Sequence, residues 1–517
     1  MKTLILIAIS MLIPLALFSF SGNGSGTEEA PYQITNIEQL QEMNDELDAH
    51  YILMNDIDAS ETRNWNVGDH DGDPETPDSA MGFEPVGTYK YNDSSSNFNG
   101  KLNGQGYLIK DIYINRQNTN FIGLFGYIGQ NGTKIENCGL VNCKIIGKNY
   151  VGSIAGVNYG GSIAKSFVTG TIHGKNKVGG MVGCNSCPYK AESLLCEINS
   201  SFVDVSVLGN SNVGGFIGQN YSSVNNCYSI GCINGSTNVG GFCGLSIGKI
   251  VSCFSVGIVH GVKRIGGFCG STCLCFGTDI INCCYSTCIV YGEIHVGGFC
   301  GENYEAKINN SYSTGEVNGN RNVGGFCGTN IDELSGEINF CYSTGVVNGN
   351  EYLGGFCGYC PYGRSEGFWD VISSRMNNSE CGIGKATNDL KEKETFSDWD
   401  FNSIWLIKEG ESYPKIRGIN DFNKVLAYKN EKIRKNIANH HLVSGTPVIC
   451  YFLKNSDTVN IEIYNCSGAK KMTLANEYQE AGSHEIRLGN NTLEPGMYFY
   501  VLRTRQRIES GKIIHIK

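Results

Sequence analysis

The chain is poor in proline and in charged side chains, and it has a single long apolar run. Only 10 of its 517 residues are proline and 17% are charged, with a net charge of −10. An acidic chain without a basic stripe is a poor binder of nucleic acid, so we expect no nucleic-acid partner. No HExxH string occurs, which argues against a zinc peptidase of that type. Glycine is abundant at 68 residues, but there is no Gly-X-Y period, and a collagen-like chain is excluded.

The apolar run stands at the N-terminus, MKTLILIAISMLIPLALFSFSG, with one lysine before it and small residues at its end. This pattern predicts a secretory signal peptide over residues 1–22, with cleavage near residues 19–26. A retained membrane anchor is the alternative, and Pro14 and the shortness of the run disfavour it. No other stretch is apolar enough to span a bilayer, so we expect a water-facing mature chain outside the cytoplasm.

A string of the form Val-Gly-Gly-Phe-Cys-Gly recurs through the middle of the chain, with near copies between its repeats. With residues 308–328 as the template, eight blocks align, and a fragment of a further block ends at Gly126. Linkers of variable length separate the blocks, and fixed blocks with variable loops are typical of a solenoid. The other seven blocks run over 135–156, 163–183, 198–218, 224–244, 250–270, 281–301 and 338–358.

The aligned columns indicate what each position requires. The first column holds only isoleucine or valine, as a buried strand position would. The fourth alternates between cysteine and serine, which we interpret as a need for small volume, and the fifth is aromatic. The cysteine of the recurring string alternates with alanine, valine and isoleucine, so we interpret it as a small buried hydrophobe and not as a reactive thiol. We assign the closing glycines to turns or close approach between coils: Gly126, Gly156, Gly183, Gly218, Gly244, Gly270, Gly301, Gly328 and Gly358.

Each block contains three predicted strands: the Ile-x-x-Cys/Ser-Tyr stretch, the x-Val-x-Gly stretch and the Val-Gly-Gly-Phe-Cys-Gly stretch. Three strands per coil, stacked in register, predict a parallel β-helix. The ends of such a stack must be covered. Upstream, Thr35 and Glu38 fit a capping box for a short helix. Downstream, we expect Trp369, Trp399 and Trp405 to seal the last coil, with a carbohydrate-binding platform as the alternative.

These residues resemble the GLUG-motif repeat proteins. The likeness covers about residues 31–417 and includes the VGGF-x-G blocks, the opening YQITNIEQLQEMN, FNGKLNGQGYLIKDIYI at 98–114 and the closing FWDVISSR and ESYPKI. The resemblance implies a bacterial surface protein with a right-handed parallel β-helix. Such repeats occur in adhesin-like proteins and as stalks ahead of zinc peptidase domains.

The tail has its own resemblance. Alternating apolar positions at Val459, Ile461 and Ile463, and at Met497, Phe499 and Val501, predict a small antiparallel β-sandwich. The sequence of residues 446–517 is similar to the C-terminal sorting domain of type IX secretion substrates, although GTPV replaces the usual Asn-Pro opening. The likeness implies recognition by the type IX secretion machinery and a place on, or release from, the cell surface of a Gram-negative bacterium.

Candidate sites for chemistry are few. The string GDHDGDPETPD offers Asp69, Asp71 and Asp73 as calcium ligands, but Pro74 and Ala80 replace the expected glycine and glutamate, which favours a solvated acidic loop. Ser246 and Ser365 match the nucleophile-elbow string without a strand–helix context. Two groups of loop cysteines predict disulfides, with zinc as the alternative: Cys184, Cys187 and Cys196, and Cys273, Cys275 and Cys283.

The sequence therefore predicts a non-enzymatic, adhesin-like surface protein that binds a glycan or matrix protein and uses no cofactor, with calcium as the open possibility. Asp204, Glu293 and Glu316 do not align into a catalytic pair. The alternatives are a carbohydrate-active enzyme built from the loops at 184–197 and 271–280, and an inert stalk. The predicted order is signal peptide (1–22), cap and first coils (31–126), GLUG-type repeats (127–358), C-terminal cap (359–420), linker (421–445) and sorting domain (446–517).

Overall fold

The chain forms a parallel β-solenoid followed by a small domain of two sheets, as the sequence predicts. The signal peptide and the linker fall largely outside the part that can be described, and in that part no helix has the length and apolarity needed to cross a bilayer. The computed structural model describes residues 20–68, 80–91, 93–129, 132–187, 196–273, 280–331, 337–362, 365–418, 440–444, 448–453, 456–465, 470–480, 482–487, 493, 496–505 and 508–516.

One long sheet of 26 strands forms the broadest side of the solenoid, and its strands pair in parallel from coil to coil. Along the longer strands one set of valines and isoleucines faces the solenoid core, whereas the aromatic residues lie on the outward side, together with Ile230, Val256 and Ile258. Its strands are Tyr32–Ile34, His50–Leu53, Ile57–Asp58, Lys101–Asn103, Leu108–Lys110, Tyr113–Asn115, Lys134–Glu136, Gly139–Ile146, Ser162–Ala164, Phe167–His173, Glu197–Asn199, Phe202–Leu208, Ser223–Asn225, Tyr228–Asn234, Ile250–Val251, Phe254–His260, Ile280–Asn282, Tyr285–Ser286, Ile289–Tyr291, Lys307–Asn309, Tyr312–Ser313, Val317–Asn318, Ile338–Ser343, Val347–Asn348, Ser365–Asp370 and Ile383–Lys385.

Two further parallel sheets complete each coil. The corner sheet has eight strands: Asn149–Val151, Asn176–Gly179, Ser211–Gly214, Thr237–Gly240, Lys263–Gly266, Ile294–Gly297, Arg321–Gly324 and Glu351–Gly354. The cysteine sheet has nine: Phe125–Ile128, Ala155–Tyr159, Val182–Ser186, Ile217–Asn220, Cys243–Ser246, Cys269–Thr272, Cys300–Tyr304, Cys327–Ile331 and Cys357–Tyr359.

The division of each coil into strands differs from the prediction. The recurring string is not one strand, because it bends at its second glycine and phenylalanine and so passes from the corner sheet to the cysteine sheet. At Gly241 a Cβ would lie 2.0 Å from the carbonyl oxygen of Gly267 in the next coil, so only glycine fits this bend. The aromatic position and the later Ile/Val position, in contrast, share a single strand in several coils, such as Tyr228–Asn234.

The core consists of side-chain columns that run along the solenoid axis. The phenylalanines of the recurring string stack with ring centroids 4.8–5.0 Å apart, and the rings are nearly parallel. The cysteine column is in register as well: Cys243 pairs with Cys269, Cys269 with Cys300, and the next two cysteines follow. All five of these thiols are buried, as expected for a packing role: Cys243, Cys269, Cys300, Cys327 and Cys357.

The N-terminal cap contains the predicted helix, Ile37–Gln41, but its capping differs by one residue. Asn36 is the N-cap, and its side chain accepts a hydrogen bond from the Gln39 backbone nitrogen at 2.9 Å. The Gln39 side-chain oxygen in turn accepts hydrogen bonds from the backbone nitrogen and the hydroxyl of Thr35. The predicted box between Thr35 and Glu38 is therefore wrong: Asn36 is the N-cap because its backbone is the extended one, and Gln39 bonds the residue before the cap. The 3₁₀ turns of the chain are Glu42–Asn44, Ser60–Asn64, Ser94–Ser96, Asp389–Lys391 and Lys393–Phe396.

The three tryptophans of the C-terminal cap are buried, so the carbohydrate-platform alternative is wrong. Trp369 belongs to the solenoid core and closes the end of the stack. Trp399 and Trp405 pack instead on the outward tyrosines of the long sheet, Tyr312 and Tyr342, beside the short hairpin Trp405–Leu406 and Lys415–Ile416.

Asp370 connects the segments of this cap. One carboxylate oxygen accepts hydrogen bonds from the backbone nitrogens of Ile372 (2.8 Å) and Ser373 (3.0 Å). The other accepts from the hydroxyls of Thr387 (2.7 Å) and Tyr413 (2.5 Å). Burial alone would raise the pKa of Asp370, but these hydrogen bonds lower it on balance, so the carboxylate is ionised at neutral pH.

The C-terminal domain has a core formed by Val459, Ile461 and Ile463, as the alternation predicts. On the paired strand Gly496–Arg503, Tyr500 and Leu502 are buried and Val501 is partly exposed. The residues of this strand that face the core are therefore shifted by one position from the predicted ones. The side chains of Met497 and Phe499 lie outside the described part. One pairing, between His440–Ser444 and Ile508–Ile516, is parallel. The other strands are Gly496–Arg503, Asp457–Asn465 and Lys470–Gln479, with Val448–Leu453 and Gly482–Arg487 in a second sheet.

Candidate binding face

The closing glycines lie against the corner of the preceding coil. A Cβ at Gly244 would be 2.5 Å from the carbonyl carbon of Asn212 and from the nitrogen of Val213. The same contact, at 2.5–2.7 Å, recurs from Gly156 through Gly358, whereas at Gly126 the nearest atom is the carbonyl oxygen of Gly87, at 2.3 Å. Coils at this edge are therefore too close for any side chain.

Both serines of the nucleophile-elbow strings take part in structural hydrogen bonds. Ser246 is buried and donates to the carbonyl oxygen of Gly248, and it pairs in register with Asn220 and Thr272. Ser365 accepts a hydrogen bond from Asn330 at 3.1 Å. Neither position has a histidine partner among its hydrogen bonds in the described chain. Ser246 belongs to a column of polar side chains on the cysteine sheet, and Ser365, on the long sheet, accepts from Asn330 of that column.

This column is a buried ladder of side-chain hydrogen bonds that the sequence analysis missed. Most amides in it donate to a side chain of the next coil, whereas Asn220 donates to the carbonyl oxygen of Ser222, and these bonds satisfy polar groups that would otherwise be unpaired in the core. The sequence pattern that could have revealed this ladder is an asparagine three residues after the cysteine-column position in most blocks. Ser246 and Thr272 take its place in two blocks, which makes the pattern hard to recognise. The links are Asn158 to Asn185 (2.9 Å), Asn185 to Asn220 (2.9 Å), Thr272 to Asn303 (2.6 Å) and Asn303 to Asn330 (2.8 Å).

The alternating Cys/Ser column also requires more than small volume. Most of its side chains donate to the carbonyl two residues earlier, as Ser166 does to Ala164 (2.9 Å) and Cys253 does to Val251 (3.2 Å). Serines and cysteines of the column also accept a backbone N–H from the previous coil, as Ser166 does from Cys138 (3.3 Å) and Cys253 does from Cys227 (3.4 Å). Cysteine and serine share this pair of hydrogen bonds, which explains why only they alternate.

The predicted loop-cysteine groups are only partly visible. Cys275 lies outside the described residues, and no disulfide joins the cysteines that the structure describes. Cys184 packs with Tyr127 and Val157, whereas the Cys196 thiol donates to the carbonyl oxygen of Ser186 at 3.0 Å.

The acidic candidates do not assemble a site in the described chain. Asp69, Asp71 and Asp73 lie outside the described residues. Asp204 and Glu293 belong to coils three steps apart, roughly 14 Å at about 4.8 Å per step. That separation exceeds the spacing of a glycosidase carboxylate pair.

A face rich in tyrosine is the most distinctive surface of the solenoid. It combines the outward side of the cysteine sheet with the adjacent outward column of the corner sheet, and we call it the tyrosine face. Tyr221, Tyr304, Tyr352 and Tyr359 on it are each at least 38% exposed. Its corner column consists of Tyr150, Lys177, Asn212, Asn238, Arg264, His295, Asn322 and Tyr352.

At the N-terminal end of the tyrosine face, aromatic rings form a cluster. Tyr89 lies 5.5 Å from Phe121 and 5.3 Å from Tyr127, centroid to centroid. Phe121 stacks on Tyr150 at 5.0 Å. The ammonium of Lys177 lies 4.4 Å from the centroid of Tyr150, a cation–π contact. This end therefore presents aromatic rings beside a positive charge.

The middle of the face is polar. Arg264 forms an ion pair with Glu302, with nitrogen and oxygen 2.6 Å apart. His295 lies beside the same carboxylate at 3.9 Å and hydrogen-bonds Thr329 at 2.6 Å. Asn322 is within hydrogen-bonding distance of both His295 and Thr329. These groups offer donors and acceptors between the aromatic ends.

The C-terminal end repeats the aromatic and cationic pattern. Tyr352 is 51% exposed and meets Tyr359 edge to face, with centroids 6.1 Å apart. The guanidinium of Arg321 lies over Tyr352 at 5.4 Å and forms an exposed ion pair with Glu351. Two aromatic–cation groups thus stand at opposite ends of one face.

The corner column holds its side chains on a left-handed backbone. All eight corner residues have φ between 52° and 62°. Asparagine tolerates this conformation, but Tyr150, Lys177, Arg264, His295 and Tyr352 each cost about 1 kcal/mol there. Five of the eight corner residues are therefore larger than the asparagine that fits this backbone with less strain.

We expect the stability of the solenoid to fall as the pH is lowered from 7.5 to 5. Burial lowers the pKa of His295, with Arg264 adding to the effect and Glu302 opposing it, and burial also lowers the pKa of His173 and His260. The unfolded chain then binds more protons than the folded chain below about pH 6.5, so the free energy of unfolding decreases there as pH falls. The urea midpoint at the two pH values measures this.

The variant His295→Asn serves as the control for this prediction, because asparagine occupies the same column in neighbouring coils. Its urea midpoint should fall less between pH 7.5 and 5 than that of the parent chain. An equal fall in both proteins would contradict a contribution from His295.

Comparison with known proteins identifies two segments. The family model described as the GLUG motif matches residues 292–318, within the repeats. The family model described as the secretion system C-terminal sorting domain matches residues 448–517. No solved structure is significantly similar to this chain.

Two curated relatives show similarity over part of the chain. Halomucin of Haloquadratum walsbyi is 37% identical over 175 residues, which is 33% of this chain and 2% of that protein. A putative Gly-rich membrane protein of Evansella cellulosilytica is 36% identical over 146 residues, which is 27% of this chain and 15% of that protein. The chain thus matches only a small part of either relative.

Proposed function

We propose that this chain, a GLUG-motif repeat protein that carries a C-terminal sorting domain for secretion to the cell surface, is an adhesin-like protein that binds an extended glycan along its tyrosine face. The observation that carries the proposal is the pair of exposed aromatic–cation groups at the two ends of that face. We further propose that it acts by binding and is not an enzyme.

Exposed tyrosines suit a sugar ligand for physical reasons. A pyranose ring presents a face of C–H bonds that packs on an aromatic ring by dispersion, while its hydroxyls need polar partners. The two ends supply the rings and the middle supplies Arg264, Glu302 and His295. Exposed apolar groups rimmed by polar ones are typical of interaction sites on soluble proteins.

The spacing of the two ends favours a long ligand. Tyr150 and Tyr352 lie on the first and last of the eight strands of the corner sheet, seven steps apart. At about 4.8 Å per step this is roughly 34 Å, which exceeds the size of a single sugar. We therefore propose a polysaccharide strand that contacts both ends, and each end alone should bind weakly.

The sorting domain supports a position of the proposed binding face outside the cell. This domain implies contact with the type IX secretion machinery. We propose that the mature protein is attached to the outer surface of a Gram-negative bacterium, where the tyrosine face can meet glycans of another cell or of the matrix.

The test is a screen of the full chain against immobilised polysaccharides and matrix proteins. We expect Tyr352→Asn to weaken binding to the best glycan about fivefold, because one aromatic contact is worth about 1 kcal/mol. Folding stability should stay the same or rise slightly, since asparagine fits the left-handed corner.

The matched control is Tyr291→Asn, which removes a tyrosine of similar exposure, 40%, from the long sheet. It should leave binding unchanged. Binding to no glycan, or equal loss in both variants, would contradict the proposal and favour an inert stalk. Release of reducing sugar from a bound polysaccharide would contradict a purely binding role.

A further inference from the structure

Three buried thiols meet where the solenoid ends. The sulfur atoms of Cys357, Cys360 and Cys381 all lie within 4.8 Å of one another. Cys357 is on the last strand of the cysteine sheet, Cys360 follows that strand, and Cys381 comes from the cap beyond Trp369. The cluster therefore joins two segments that are separate in the chain.

The repeat accounts for only one of these cysteines. Cys357 pairs in register with Cys327 and is the last member of the packed cysteine column. Cys360 stands three residues later, in the place that Asn330 occupies one coil before, and Asn330 lies 3.9 Å from its sulfur. Cys381 belongs to no repeat column. The last coil therefore has a cysteine where the coil before it has an asparagine, and this cysteine lies beside the Cys381 thiol of the cap.

We propose that Cys360 and Cys381 form a disulfide after export, which ties the C-terminal cap to the last coil. The two thiols lose two protons and two electrons and form one S–S bond. The oxidant is a disulfide, either of a thiol–disulfide oxidoreductase of the cell envelope or of a small molecule, and it is reduced to two thiols. Secretion to the cell surface exposes the chain to compartments where such bonds persist.

Cys360 is better placed than Cys357 to pair with Cys381. Cys357 lies in a paired strand, and its thiol donates to the carbonyl oxygen of Tyr359 at 3.3 Å. Its Cβ is held parallel to those of its column. Cys360 follows the end of the strand, where the backbone can adjust to the geometry that a disulfide needs.

A neutral disulfide suits this site better than a metal ion. Three thiolates around a divalent ion would leave a net negative charge inside the core, which costs free energy. Contact with the neighbouring thiols and burial raise the pKa of Cys381, and burial raises that of Cys357, so these thiols are protonated at neutral pH. Oxidation to a disulfide leaves no charge behind.

The experiment compares the full chain after treatment with oxidised glutathione and after treatment with a reductant. Free thiols are alkylated in denaturant, and peptides are mapped by mass spectrometry. We expect a linked pair of peptides that carry Cys360 and Cys381, and a melting temperature roughly 5 °C higher for the oxidised protein. Cys381→Ser should lose both the link and the difference in melting temperature.

Two variants serve as controls. Cys341→Ser restores a residue that the same column uses at Ser311, and it should keep the link and the difference in melting temperature. Cys357→Ser should keep the link as well. Alkylation of both Cys360 and Cys381 in the oxidised parent chain would overturn the proposal. So would a link through Cys357, or stoichiometric zinc bound by the reduced chain through all three thiols.

Discussion

Gly244→Ala is expected to destabilise the solenoid by about 3 kcal/mol or more. The added Cβ would lie 2.5 Å from backbone atoms of Asn212 and Val213, a distance that no side-chain rearrangement can relieve. The coils would have to separate at this edge, which breaks pairing in both the corner sheet and the cysteine sheet. Urea unfolding of the full chain, followed by far-UV circular dichroism, measures the loss.

Ser236→Ala is the control for this prediction, because it changes a partly exposed side chain at the outer edge of the same coil. Its effect should stay within about 0.5 kcal/mol, as for most surface substitutions. A Gly244→Ala protein as stable as this control would mean that the coils are less closely stacked than the structure shows.

Phe268→Ala should cost about 3–5 kcal/mol, the range for a buried phenylalanine replaced by alanine. The ring is fully buried between Phe242 and Phe299, with centroids 5.0 Å and 4.8 Å away and nearly parallel planes. Its removal leaves a cavity in the column and ends two ring contacts. Because each coil of a solenoid touches only its neighbours, we also expect the unfolding transition to broaden or divide in two.

Phe268→Leu should lose less than half as much stability, since leucine fills most of the space. Val262→Ala, at a position 50% exposed in the same coil, should be nearly neutral. A single sharp transition with a loss below about 1 kcal/mol in Phe268→Ala would contradict the role of the column. Differential scanning calorimetry shows both the size and the number of transitions.

The sequence predicted the coil because its columns repeat. A position that holds only isoleucine or valine, such as Ile308, can be recognised as buried without any structure. The packing role of the cysteine column was predictable in the same way, because Val182 and Ile217 alternate with the thiols. The structure confirms the parallel solenoid and the burial of this column.

Contacts between coils were harder to predict. The sequence shows that Cys253 and Ser166 alternate but not that both hydrogen-bond two neighbouring backbone groups, because those groups belong to other strands. The asparagine ladder was hidden for the same reason, since Ser246 and Thr272 interrupt it. The bend inside the recurring string was missed because the sequence alone does not distinguish a glycine within a strand from a glycine at a corner.

The tyrosine face could not be predicted from single columns. Its tyrosines stand at different positions of the repeat, such as Tyr304 and Tyr352, and they come together only when the coil is closed. The left-handed corner gave a partial signal, because asparagine at Asn212, Asn238 and Asn322 is typical of that conformation.

The left-handed corner has a consequence for how such a protein can change. One backbone geometry accommodates asparagine, lysine, arginine, histidine and tyrosine in successive coils, on the outward side of the corner sheet. A single codon change can therefore alter the chemistry of the proposed binding face while the coil keeps its backbone. Duplicating a coil would add one more variable position to that face, so its chemistry can change one coil at a time.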